Sequence, residues 1–203
     1  MELKKLVDKL NSDQQVHGII IQRPLPIQID EIAARQIVIP SKDVDGFLPN
    51  SKFNEPIAEA VLEILKTVFE QKPADEFISW LKAKKIVVVG KGRTGGGPVI
   101  NLFRKLEVKP LIIDSKTPNP AEIVKSADIL ISTVGRHGII RTNEVKKGAI
   151  LIGIGMHKGE DGRLHSDYNQ EEIASVASYY TPVPGGVGPV NVAMLLKNLI
   201  KNL

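Results

Sequence analysis

The 203-residue sequence contains no cysteine. That excludes a disulfide framework, a thiolate nucleophile and any cysteine-bound zinc, and it accords with a reducing cytoplasm. Aromatic residues are sparse: five Phe, three Tyr and one Trp. The lysines are scattered, few aromatics accompany them, and 27 basic residues face 23 acidic ones. This is not the footprint of a nucleic-acid binder, although the small positive excess tolerates anionic ligands. No apolar run reaches the roughly 20 residues that span a bilayer. The opening Met-Glu-Leu-Lys-Lys-Leu-Val-Asp-Lys-Leu reads as an amphipathic helix rather than an apolar leader. No Ser-His-Asp pattern, nucleophile elbow, repeat or low-complexity segment is found. His17, His137, His157 and His165 stand apart without metal-ligand spacing, so no metal site is expected.

What the chain does have is a run of β-branched residues, Ile86 to Val89, that stops at Gly90-Lys91-Gly92-Arg93-Thr94-Gly95-Gly96-Gly97-Pro98. The apolar run lacks polar alternation and predicts a strand buried on both faces. Gly90, Gly92 and Gly95 fall at G-x-G-x-x-G-like spacing, which suits a tight turn that brings backbone amides to a phosphate. A helix over 98–106 would present its N-terminus to that anion, with Pro98 in the first turn. Strand and helix then alternate: strand 110–113, helix 120–126, strands 128–133 and 149–153. This implies a parallel sheet with crossovers. In that setting the turn reads as a dinucleotide site. Lys91 and Arg93 are read either as phosphate partners or as solvated charge. Asp114 ends the second strand near the offset at which an acid meets the ribose 2′-OH of NAD. Ser115, Lys116 and Thr117 follow at once and suit a phosphate, so NAD and NADP both stay open.

Outside this core, helices are expected over 2–11, 29–36, 56–70, 171–177 and 190–203, and a surface turn at Asp161-Gly162. Gly18 to Gln22 reads as a buried strand that ends at Arg23-Pro24-Leu25-Pro26. This would put Gln22 at a ligand crevice, or leave it in a strand-end hydrogen bond. In the loop Pro40 to Phe47, Asp43 and Asp45 are cap or turn residues by default, and Asp45 is the better ligand candidate because Gly46 lets the backbone fold around it. Gln71 to Asp75 reads as a hinge. His137, after the strand 128–133, reads as solvent-exposed or as facing the cofactor. Thr181-Pro-Val-Pro-Gly-Gly-Val-Gly-Pro189 is a rigid backbone able to wall a pocket.

Four motifs, Gly18-Ile-Ile-Ile-Gln-Arg-Pro-Leu-Pro26, Lys42-Asp-Val-Asp-Gly46, the Gly90–Pro98 turn and Thr181–Pro189, resemble in their order the bifunctional methylenetetrahydrofolate dehydrogenase/methenyltetrahydrofolate cyclohydrolase family. The resemblance runs from about Leu3 to Leu199. It implies NAD(P)-dependent oxidation of 5,10-methylenetetrahydrofolate, hydrolysis of the methenyl product to 10-formyltetrahydrofolate, and a homodimer. It also implies that Gln22 assists catalysis and contacts the reacting region of the folate, and that Asp45 anchors the pterin. Pro184, Gly185, Gly186 and Val187 would line the folate site. Gly90, Lys91, Gly92, Arg93, Gly96 and Pro98 would hold the dinucleotide. Ser115 would lie near the adenosine ribose or its phosphate, and Val134, Gly135 and 153–155 near the nicotinamide.

The chain departs from the family pattern at named places. It contains no Tyr-x-x-x-Lys, the motif whose lysine serves the cyclohydrolase step. Phe53-Asn54-Glu55-Pro56 replaces Pro-Cys-Thr-Pro, Lys91-Gly92 replaces Arg-Ser, and Thr94-Gly95 replaces Ile-Val. Gly153 stands for an Asp, Asp114 for a His, and Val190-Asn191 for Met-Thr. The resulting expectation is an α/β protein: a Rossmann-type parallel sheet (73–180) plus the remainder of a folate-binding lobe (1–72), completed by the loop and C-terminal helix of 181–203. The alternative is a truncated or degenerate dinucleotide-binding module without cyclohydrolase activity.

Overall fold

The structure, a computed structural model, describes residues 2–69 and 76–203. The hinge expected at Gln71–Asp75, and the boundary drawn between 72 and 73, lie outside the described residues. By backbone contacts the chain divides into two units, Met1–Pro56 with Val192–Leu203, and Ile57–Asn191.

The larger unit is built on a five-stranded parallel sheet in the order β2-β1-β3-β4-β7: β1 (Ile86–Val89), β2 (Leu111–Ile113), β3 (Ile129–Ser132), β4 (Ile150–Gly153) and β7 (Tyr179–Tyr180). Every residue of β1, β3 and β4 is buried, which is why these strands are continuous apolar runs. On one face Val87, Val89, Leu130 and Leu151 join Val124, Ala127, Ile140, Tyr168 and Ile173 in one core. Helices α5 (Gly96–Lys105) and α6 (Pro120–Lys125) follow β1 and β2. Helix α3 (Pro56–Phe69) begins at its proline as expected, and α4 (Phe77–Lys82) is an addition.

Two further elements differ from expectation. The Asp161-Gly162 turn closes an antiparallel hairpin, β5 (Met156–Lys158) with β6 (Leu164–Ser166). The strand β7 consists of two exposed tyrosines and pairs with β4 through Ile150↔Tyr179 and Leu151↔Tyr180. Neither carries an apolar run that would announce it. Helix α7 is a short turn, Gln170–Ile173, capped by Asn169, which accepts from the Glu171 and Glu172 amides.

In the smaller unit, α1 (Glu2–Ser12) buries Val7 against Ile19 and Val38. Asp30 caps α2 (Glu31–Gln36) through the Ile32 and Ala33 amides, a gain of about 1 kcal/mol for such a cap. The strand expected at 18–22 does not form. Among the described residues no strand runs beside it; its tether is the Ile19 amide donating to the Lys42 carbonyl at 2.8 Å. A strand without a ladder partner leaves Ile20 45% exposed and Gln22 exposed. Helix α8 (Val187–Ile200) starts three residues earlier than expected, with Gly188 and Pro189 in its first turn; proline is tolerated there because its missing donor has no helical partner.

Candidate functional site

The larger unit holds a cavity of about 640 Å³ at the C-terminal ends of its parallel strands, lined by Gly95, Thr133–Gly135, Gly153–Met156 and Pro182–Pro189. This is where open α/β sheets bind ligands.

One wall is the glycine-rich turn. Gly90 has φ +92°, a conformation that L side chains rarely adopt, and its amide continues the ladder to the Ile113 carbonyl at 2.8 Å. The turn then doubles back on itself. A Cβ on Gly96 would lie inside the Gly90 carbonyl, 2.8 Å from its carbon and 2.9 Å from Thr133 Oγ1. Around Gly92 a Cβ would meet nothing within 4 Å. The close-packed glycine is therefore Gly96 rather than the Gly92 and Gly95 of the spacing read from sequence. Pro98 is buried inside α5, as its place in the first turn requires.

The second wall is the segment after β3, and it is organised by a residue that no motif announces. Asp167 is fully buried. It accepts from Ser132 Oγ at 2.5 Å, from the Val134 amide at 2.9 Å and from the Arg136 amide at 2.8 Å. Its carboxylate thus fixes the backbone that carries Val134 and Gly135. It also leaves no room at Gly155, where a Cβ would overlap the Asp167 carboxylate and the Gly135 amide.

The third wall is the 181–187 segment. Gln170 clamps it with both ends of its amide: Nε2 donates to the Val183 carbonyl at 2.8 Å, and Oε1 accepts from the Val183 amide at 2.9 Å. The Tyr168 hydroxyl donates to the Thr181 carbonyl at 2.5 Å, and burial pushes this phenol up to about 12. The Tyr168 ring also explains the departure at position 153. A Cβ there would lie 2.8 Å from the ring, so a side chain such as the family's Asp has no space. Asp167, Tyr168 and Gln170 were not found by sequence reasoning, because neighbouring positions after a hairpin carry no pattern.

At the outer end of β2, Asp114 binds the Lys91 ammonium at 2.6 Å and accepts from the Lys116 amide at 2.9 Å. The Lys91 hydrogen bond foremost, then the Lys116 amide, lower its pKa to about 2. Lys91 is thus read as the partner of Asp114, while Arg93 and Ser115 are exposed. His137 is exposed, and its ring lies 5.8 Å from that of His157, which in turn lies 5.8 Å from His165. These three histidines are neighbours in space, against the expectation that they stand apart. Among the described residues no group of three or more His, Cys, Asp or Glu is arranged to hold a metal ion.

The smaller unit carries Gln22 and Asp45. Gln22 Nε2 donates to the Arg23 carbonyl at 3.0 Å. Arg23 and Arg35 stack over the Phe47 ring at 4.2 and 4.1 Å. Asp43 is buried and structural: its carboxylate accepts from the Phe47 and Leu48 amides at 3.3 and 2.9 Å. Asp45 is partly buried, and desolvation raises its pKa against the lowering pull of Arg23.

The sequence matches two family descriptions: tetrahydrofolate dehydrogenase/cyclohydrolase, NAD(P)-binding domain, over residues 60–203, and the catalytic domain of the same family over residues 1–45. It is 41% identical to the bifunctional protein FolD of Ligilactobacillus salivarius, over 98% of this chain and 70% of that protein. Its fold is similar to that of the bifunctional FolD methylenetetrahydrofolate dehydrogenase/cyclohydrolase of Campylobacter jejuni, with TM-score 0.89 and 33% identity over 99% of this chain and 72% of that one. It is also similar to the Trypanosoma brucei methylenetetrahydrofolate dehydrogenase-cyclohydrolase in complex with NADP and an inhibitor, with TM-score 0.87 and 34% identity over 99% of this chain and 71% of that one.

Proposed function

The chain belongs to the tetrahydrofolate dehydrogenase/cyclohydrolase family, and we infer from this that it oxidises 5,10-methylenetetrahydrofolate with NAD(P)+ and hydrolyses the methenyl product to 10-formyltetrahydrofolate. The observation that carries the reading is the cavity at the strand ends, walled by the glycine turn, the Asp167-held loop and the 182–189 backbone. These residues fit a dinucleotide. The turn offers backbone amides at the start of a helix, where an anion is favoured, and Gly96 keeps the backbone free of a Cβ. Bound NAD(P)+ supplies the hydride acceptor. The chain's own task in that step is orientation, since a near-attack geometry carries much of such a barrier. Val134 and Gly135, locked by Asp167, are assigned to the nicotinamide. Gly90, Lys91, Gly92, Arg93, Gly96, Pro98, Asp114 and Ser115 are assigned to the rest of the dinucleotide.

Residues 73–180 form the dinucleotide domain in this reading, and 1–72 with 181–203 serve the folate. Gln22 and Asp45 are the catalytic pair of the folate lobe, and Pro184, Gly185, Gly186 and Val187 line the folate. An ionised carboxylate is acceptor-only, so Asp45 suits the donors of the pterin edge. Family resemblance supports a homodimer acting in the cytoplasm, and the solution molar mass tests the first of these. The function itself is tested by supplying methylenetetrahydrofolate and NAD(P)+ and following reduced nicotinamide. Its appearance, with 10-formyltetrahydrofolate as the later product, is expected. Nucleotide binding with no reduction would overturn the dehydrogenase reading and leave a binding module.

The preference within NAD(P) is set by Asp114. Its carboxylate, ionised at all ordinary pH, accepts from a ribose hydroxyl and repels a 2′-phosphate. NAD+ is therefore expected to be preferred. Asp114→His removes the like charge and should shift the ratio of kcat/KM for NADP+ over NAD+ upward on the order of tenfold. An unchanged ratio would show that Asp114 does not face the ribose.

A further inference from the structure

Helix α8 contributes a residue whose consequence lies in the loops it holds. Asn198, 6% exposed, donates through the same Nδ2 to the Val44 carbonyl at 3.0 Å and to the Asn54 carbonyl at 3.3 Å. The residues that follow these two carbonyls are Asp45 and Glu55. The next residue of the first loop, Gly46, has φ +70° and packs directly on the second: a Cβ there would lie 2.7 Å from the Asn54 carbonyl and 2.8 Å from the Glu55 amide. Beyond Glu55, Pro56 opens α3 and stiffens the segment. The fold therefore packs the backbone of Asp45 and Glu55 together, ten positions apart in sequence and in different motifs, and the Asp45 charge is felt at the Glu55 carboxyl.

Burial, first of all, raises the Glu55 pKa to about 7; Arg35 and Arg23 oppose this, and Asp45 and Asp43 add to it. Asp43 is already consumed by two backbone amides, and Glu31 of α2 is consumed by Arg35, at 2.5 Å, and Arg23, at 3.6 Å. Arg23 Nη1 and Arg35 Nε are buried with no hydrogen-bond partner among the described residues. Burial thus keeps the proton on Glu55 up to about pH 7, beside Asp45 as the carboxylate. One member is then an acceptor and the other a donor.

We propose that Glu55 is a second recognition residue for the pterin: beside Asp45, which accepts from the ring N–H and amino donors, the Glu55 carboxyl donates to the adjacent ring carbonyl oxygen. The proposal rests on the reading that Asp45 holds the pterin. The chemistry it needs is a ligand edge with donors and an acceptor in a row, and a 2-amino-4-oxopyrimidine edge has that arrangement. A carboxylate alone matches the donors, whereas a carboxylate with a neutral carboxyl matches the whole edge.

The test is calorimetric binding of 5-formyltetrahydrofolate by the full chain between pH 6 and pH 8.5, with NAD(P)+ binding measured in parallel. The sign follows from the proton. Only protonated Glu55 donates, so affinity is held below about pH 7 and lost above it. With a group at about 7, the competent fraction at pH 8.5 falls about thirtyfold, and the dissociation constant rises by that factor. Glu55→Gln keeps a donor and should bind with little pH dependence. Glu55→Ala should bind weakly at every pH. A wild-type affinity that is flat with pH, or a Glu55→Gln variant that keeps the slope, would overturn the proposal. Folate binding absent at every pH in all three forms, with nucleotide still bound, would instead overturn the reading of Asp45 on which it rests.

Discussion

Replacing Asp167 with alanine is expected to cost both stability and turnover, more than any other single side-chain truncation near the cavity. The carboxylate accepts from the Ser132 hydroxyl and from the amides of Val134 and Arg136 while fully buried. Alanine leaves one buried hydroxyl and two part-buried amides without their acceptor, a penalty of about 1–3 kcal/mol for the buried donor and less for the others. Removal of the buried charge offsets part of this, so a net loss of about 3 kcal/mol is expected. For a chain of 203 residues that is roughly 6–12 °C in Tm. The same change releases the backbone assigned to the nicotinamide. A shift of about 1 Å at a reacting centre can cost about a hundredfold, so kcat should fall by that order while KM for folate changes little. Asp167→Asn separates the two effects. Its carbonyl can still accept from Ser132 and Val134, which share one oxygen, but its amide NH₂ then meets the Arg136 N–H donor head-on. That variant should recover much of the stability and little of the turnover. Circular-dichroism melting and steady-state kinetics check this, and an alanine variant with wild-type kcat would refute the positioning role.

Asp167 also shows where sequence reading reaches its limit. The strands β1, β3 and β4 were legible because both of their faces are buried, so each is an unbroken apolar run. The opposite error occurred at Gly18–Gln22, which has the same apolar content. A strand needs a partner, and none lies beside it among the described residues, so Ile20 and Ile21 stay partly exposed while Ile19 is buried. Apolar content predicts burial, whereas a ladder depends on what the rest of the chain brings alongside. β7 was missed for the reverse reason: Tyr179 and Tyr180 are exposed and held in the sheet by backbone pairing with Ile150 and Leu151. The site divides along the same line. Residues that act through their own loop, such as Gly90 with its positive φ, could be found from spacing. Those that act through a distant partner could not: Asp167 reaches Val134 across 33 positions, and Asn198 reaches Val44 across 154. Nothing local marks an aspartate after a hairpin, or an asparagine in the last helix, as the residue that orders a loop.

Gly96→Ala is expected to abolish tight dinucleotide binding, and the reason lies within the turn itself. The Cβ would meet the Gly90 carbonyl group and Thr133 Oγ1 at once. Backbone at Gly90 cannot give way without breaking its bond to Ile113 at 2.8 Å, and Thr133 is held by its own hydroxyl bond to the Val89 carbonyl at 3.0 Å. The first turn of α5 must therefore swing away from β1, taking with it the amides assigned to the dinucleotide. Overpacking of this kind costs about 3 kcal/mol or more, and nucleotide affinity should drop at least about a hundredfold, or about 2.7 kcal/mol. Neighbouring glycines supply the scale. At Gly95 a Cβ would come within 3.2 Å of Thr133 Cβ, a contact relieved by a shift of a few tenths of an ångström. At Gly92 nothing lies within 4 Å. Thermal stability should fall in the order Gly92→Ala, Gly95→Ala, Gly96→Ala, with the first close to wild type. Melting temperatures and nucleotide titration of the three variants test this. A Gly96→Ala protein that melts and binds like Gly92→Ala would mean that the turn does not close on Gly90. Equal losses at all three positions would mean that backbone freedom, and not the close approach of Gly96 to Gly90, is what the turn requires.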